Sequence, residues 1–159
     1  MGTADGNYST VEGKGCITGG NYTENTLSSD TADTSNGSYS HAEGRYTIAS
    51  GRFSHSEGNR TIASGNATHA EGNLTSASGN YAHAEGARTL ASGNYSHVEG
   101  YYATSSGTCS HAEGYYSESF GDYSHTEGGG TLSKGMLSHA EGFGSNAIGV
   151  GSHAECGNW

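Results

Sequence analysis

SHAEGRYTIASGRFSHSEGNRTIASGNATHAEGNLTSASG, residues 40–79, repeats one short phrase three times. Its histidine returns at His41, His55, His69, His83, His97, His111, His125, His139 and His153, each fourteen residues after the last. A glutamate follows two positions later in every copy, at Glu43, Glu57, Glu71, Glu85, Glu99, Glu113, Glu127, Glu141 and Glu155. Aligned on this period, the unit reads S-H-A-E-G-x-x-T-x-A-S-G-x-x and divides into two similar halves, SxAxG and TxAxG. One glycine column runs from Gly44 through Gly142, with Cys156 in its slot in the last copy, and a second runs from Gly51 through Gly149. An earlier copy stands in NYSTVEGKGCITGG, residues 7–20, with Thr10 in place of histidine.

Small residues alternating with a period of two signal a strand, and a two-residue gap bounded by glycine signals a turn. The chain is therefore predicted to be all-β: a parallel β-roll, or solenoid, of 14-residue coils. Each coil supplies two strands of about five residues and two tight corners. Coils stacked at roughly 4.8 Å give a rod about 45–55 Å long. Glycine every seven residues and the lack of an apolar 3.6-residue period exclude helix. Residues 1–37 read as atypical capping coils, because 21–37 form a copy three residues longer than the rest and the end of a solenoid has no neighbour to stack on. Residues 38–157 form the repeat rod and 158–159 its C-terminal end.

Leu, Ile, Val and Phe total only 15 of 159 residues, too little apolar surface for an ordinary core. Order must come from regular backbone hydrogen bonding and from burial against other chains. The net charge of −10, with six scattered basic residues, disfavours nucleic acid and anionic membrane surfaces. No apolar stretch approaches a membrane span or a signal peptide. An extracellular or virion location then requires export that the N-terminus does not show, or release by lysis. Cys16, Cys109 and Cys156 match no zinc or CxxC spacing. Buried thiols are the simpler reading, and an inter-chain disulfide through Cys16 and Cys156 is the alternative.

The pleat sets side-chain direction. In S-H-A-E-G, serine, alanine and glycine face one side while histidine and glutamate face the other. Two strands seven residues apart leave room inside only for the small set, so the histidine and glutamate columns line an outer flank. The outward residues of the second strand drift, from Ile48 and Ser50 to Glu118 and Phe120 and then Asn146 and Ile148. The histidine–glutamate flank does not. A face held constant in every copy suits contact with an equally repetitive object, and another copy of the chain is the simplest one.

The SxAxG and TxAxG halves resemble the fourteen-residue head repeats of YadA-like trimeric adhesins, well over 38–157 and loosely over 7–20. The SHAEG/TxASG version resembles repeats in tail-fibre and minor structural proteins of phages and prophages. The resemblance implies a left-handed parallel β-roll packed as a homotrimer, without enzymatic activity. It also implies use as the rod of a tail fibre or similar appendage, presenting a receptor- or glycan-binding surface. A bacterial trimeric adhesin head, or a subunit of an end-to-end extracellular filament, is the alternative. The adhesin repeat carries apolar residues where this chain has histidine and glutamate, which makes the implied inter-chain contact polar.

Serine and histidine on opposite faces of one strand cannot form a hydrolytic triad. Imidazoles gathered from three chains would suit zinc, nickel or iron, and the glutamates could also ligate, which makes the nine histidines the metal candidates. The preferred reading needs no metal or other cofactor: each histidine donates a hydrogen bond to a glutamate, building an inter-chain ladder. Carboxylates ~4.8 Å apart repel by about 1 kcal/mol in water and by roughly 3.5 kcal/mol at an effective dielectric of 20, so such a column needs relief.

The corner after the first strand varies, and it places Tyr101, Tyr102, Tyr115 and Tyr116 in one patch suited to a cell-surface glycan or protein receptor. A second aromatic column, Tyr39, Phe53, Tyr81, Tyr95 and Tyr123, looks like corner packing. The rows of Thr47, Thr61, Thr75 and Thr89 are broken by Ala103 and Ser117, which argues against an ice-binding face.

Overall fold

The computed structural model describes residues 39–156 and, before them, the backbone of four strands: β1 (Thr3–Gly6), β2 (Ser9–Lys14), β3 (Ile17–Gly20) and β4 (Thr23–Thr26). From β5 (His41–Arg45) and β6 (Ile48–Ala49) onward the same pair recurs every fourteen residues, down to the last strand, His153–Glu155. The strands form two sheets of eleven and ten strands, with parallel pairing throughout. Register follows the repeat: His41 pairs with His55, Glu43 with Glu57 and Gly44 with Gly58. The molecule is a parallel β-solenoid.

The interior matches the small face of the pleat. Ala42, Ala70, Ala84 and Ala112 from the long strands meet Ala49, Ala63, Ala77 and Ala91 from the short ones, all fully buried. Val98 is the largest residue of this core. A methyl-sized group contributes only about 0.8 kcal/mol on burial, so the coil-to-coil hydrogen bonds must carry much of the order. They persist through the corners: His55 N–H donates to Thr68 O at 2.8 Å and Ile62 N–H to Thr75 O at 2.9 Å. In most copies the serine before the histidine points inward and closes a corner, as where Ser54 Oγ donates to Gly51 O at 2.6 Å and Ser124 Oγ to Gly121 O at 2.5 Å.

The glycine columns have a steric cause. From Gly44 to Gly128 the repeat glycine holds φ between +102° and +119°, and a Cβ there would lie 2.0–2.2 Å from the carbonyl oxygen of the equivalent glycine one coil on. Stacked backbones approach too closely for any side chain.

Three features differ from the sequence expectation. The second strand of each coil is two residues long, as in Ile48–Ala49, rather than about five. Thr47 and Ser50 flank it in the corners, where the backbone has already begun to turn. The N-terminal copies also do not stack in chain order. Thr10 does pair with His41, but β4 pairs with the far side of β2, so the eleven-stranded sheet ends β5-β2-β4.

The corners are the third difference. At most corners the residue takes the left-handed conformation without being glycine: Tyr46, Phe53, Arg60, Leu74, Tyr81, Arg88, Tyr102 and Tyr116 have φ between +53° and +59°. This conformation costs an L-residue about 1–2 kcal/mol. It is held by hydrogen bonds to the preceding coil, from Arg60 N–H to Arg45 O at 2.8 Å and from Tyr116 N–H to Tyr101 O at 2.9 Å.

Candidate functional site

Two surfaces carry chemistry. The first is the histidine–glutamate flank. Both side chains leave one face of the same five-residue strand, and parallel in-register pairing stacks them coil on coil. The imidazole rings lie 4.7–4.9 Å apart from His41 to His153, nearly coplanar through most of the column. Within one chain, the Nε2 of His41, His55, His69, His83, His125 and His139 looks toward the glutamate two residues on, at 3.5 Å for His41–Glu43, 3.6 Å for His69–Glu71 and 3.8 Å for His83–Glu85. These separations exceed hydrogen-bond length. Nε2 of His41, His55, His69, His83, His97, His111, His125 and His139 is screened from solvent without a hydrogen-bond partner.

Facing a carboxylate, Nε2 is the nitrogen that carries the proton in a neutral ring, which leaves Nδ1 as an acceptor. Burial holds the imidazoles of His55, His83 and His111 below the usual histidine value. The imidazoles stacked above and below push the same way, while the nearest glutamates pull against them without prevailing. The column is a stack of imidazole rings set beside a column of carboxylates.

The metal candidates can be tested for fit. At the C-terminal end Glu141 lies between two rings, 3.8 Å from His139 Nε2 and 3.7 Å from His153 Nε2, and the three ligand atoms lie within 4.8 Å of one another. Ligand atoms sharing one ion with bonds near 2.0–2.1 Å sit about 3.3 Å apart. Stacked parallel rings also direct their lone pairs alongside one another rather than at a common point, so the column as it stands is not a coordination sphere.

The second surface is the corner after the long strand. Tyr101, Tyr102, Tyr115 and Tyr116 do come together: Tyr101 stacks on Tyr115 at 5.6 Å, Tyr102 on Tyr116 at 4.8 Å, and neighbours within a coil meet edge-to-face at 4.6–4.7 Å. The Arg88 guanidinium lies over Tyr102 at 4.9 Å. The residues Tyr39, Phe53, Tyr81, Tyr95 and Tyr123, expected as corner packing, are all exposed; Tyr39 stacks on Phe53 at 5.1 Å and Tyr81 on Tyr95 at 5.0 Å. Their position beside the outward corner backbone was the available signal.

Cys109 is an exposed thiol at one of these corners rather than a buried one. Cys156 is partly buried, and its N–H donates to Glu141 O at 3.3 Å. Cys16, its suggested disulfide partner, lies outside the described residues. Among the described residues no helix is long and apolar enough to cross a membrane.

The fold defines a class: a parallel β-solenoid of stacked fourteen-residue coils. Two segments of it, residues 42–68 and 70–96, match the family model of the YadA head domain repeat. No curated protein matches the chain.

Proposed function

We propose that the chain is a non-enzymatic structural rod that trimerises through its histidine–glutamate flank and holds an adhesin-like binding surface away from its base. The observation that carries this reading is the pairing of Nε2 atoms without hydrogen-bond partners with a uniform carboxylate column on one outer flank. An unpartnered buried polar atom costs about 1–3 kcal/mol, and eight in a row call for a partner. A sister chain on this flank would draw the glutamates in by the few tenths of an ångström that separate 3.5–3.8 Å from a hydrogen bond, and would supply donors to Nδ1. The repeated polar contact would also fix register, because a slip by one coil is the smallest shift that restores it.

The rod would serve in a phage-type tail fibre or a comparable extracellular appendage and would engage a cell-surface glycan or protein through its aromatic corner. The head repeats favour a second reading in which the chain is itself an adhesin head.

Glutamine in place of Glu85, Glu99 and Glu113 tests the ladder. Each charge-assisted hydrogen bond lost across chains costs about 1.5–3 kcal/mol. The triple variant is therefore expected to dissociate at markedly lower temperature and higher protein concentration than wild type while keeping its β spectrum. Equal assembly stability from pH 5 to 9 would count against the ladder.

A further inference from the structure

The tyrosine corner ends in a vacancy of defined size. Along this corner the stack runs from the Arg88 guanidinium to Tyr102 to Tyr116. One coil on, the residues in register with Tyr115 and Tyr116 are Gly129 and Gly130, and the next coil places Gly144 in the Tyr116 column. The backbone continues unbroken: Gly130 N–H donates to Tyr115 O and Gly144 N–H to Gly129 O, both at 2.8 Å. Only side chains are missing. A Cβ on Gly130 or on Gly144 would meet nothing within 4 Å. The Tyr116 face that Tyr102 does not cover is therefore open across two coil layers.

Phe143 bounds the space beside it. Its ring leans over Gly129, where a Cβ would touch Cδ2 at 2.9 Å, and it is 70% exposed. Tyr115 and Tyr116, edge-to-face at 4.6 Å, form the floor.

We propose that this vacancy is a carbohydrate subsite that takes one uncharged hexopyranose ring, stacked by its C–H face on Tyr116 and flanked by Phe143. The inference rests on the reading of the chain as a surface-binding rod and names the chemistry it would bind. Ring hydrogens carry partial positive charge and suit the negative face of an aromatic ring. Size selects a single ring: two layers of about 4.8 Å hold one pyranose, whereas a stable protein interface needs about 800 Å² per partner. Charge excludes an acidic sugar. The chain carries −10, and the one nearby cation, Arg88, covers the opposite end of the stack.

Gly130→Tyr tests the site without threatening the fold, because Gly130 has φ of +65° and its column already holds Tyr46, Tyr102 and Tyr116 at +53° to +58°. Saturation-transfer NMR on the intact chain, with methyl glucoside, methyl galactoside and N-acetylglucosamine as probes, should show transfer to ring C–H protons of at least one. G130Y and Tyr116→Ala should each weaken that sugar at least tenfold. No transfer from any neutral hexose, unchanged binding by G130Y, or transfer only to an acidic sugar or an aromatic peptide would overturn the site. Mass measurement on the same samples keeps the two ideas apart: a trimer that binds no sugar sinks only the subsite, and a sugar-binding monomer sinks only the trimer.

Discussion

Replacing Gly72 with alanine is expected to abolish the stacked fold around the central coils, a loss of more than about 4 kcal/mol. The added Cβ would lie 2.0 Å from the Gly86 carbonyl oxygen, at a φ of +113° that alanine strongly disfavours. Relief needs more than an ångström of separation between coils, which breaks the parallel pairing of His69–Asn73 with His83–Ala87. Gly130→Ala is the control: its Cβ meets open space, so only the left-handed φ of +65° penalises it, by about 1–2 kcal/mol. Thermal unfolding and amide exchange of the two variants check the pair. Equal stability would show that the glycine columns are not steric in origin.

Acid is expected to have the second largest effect. The folded chain holds His55, His83 and His111 below their ordinary value, chiefly by burial and then by neighbouring imidazoles. The unfolded chain binds protons at about pH 6.5, so between 6.5 and the depressed folded values it holds more protons than the native state. Stability from these groups is therefore complete above about pH 6.5 and is lost as pH falls below it. The rings are only about half buried, so solvent moderates each of the three contributions. The melting temperature should stay level from about pH 7 to 9 and drop by several degrees by about pH 5. A melting temperature that rises on acidification would mean the glutamates, rather than burial, govern the rings.

Much of this arrangement was legible in the residues. A period of fourteen with alternating small side chains dictates parallel in-register coils, because only that pairing sets alanine on alanine and histidine on histidine. The tyrosine patch followed from register alone. So, in principle, did the vacancy above it, since Gly129 and Gly130 stand fourteen residues after Tyr115 and Tyr116. The corner conformation was not legible. Left-handed φ normally announces itself through glycine or asparagine, but here tyrosine, arginine and leucine adopt it because hydrogen bonds to the coil below fix the turn. The short second strand was hidden for a related reason: TxAxG reads as a five-residue alternation, yet the corners consume its ends. The placement of β4 depends on a long-range choice of edge that no local pattern encodes.

The flank of stacked imidazoles also explains how so little apolar surface can suffice, provided that flank is covered by identical chains. Native mass measurement of the intact protein at neutral pH, combined with acylation of exposed histidines, tests this most directly. The account predicts a discrete species of three times the 16.2 kDa chain mass whose column histidines resist modification. A stable, well-folded monomer with those imidazoles freely acylated would contradict it.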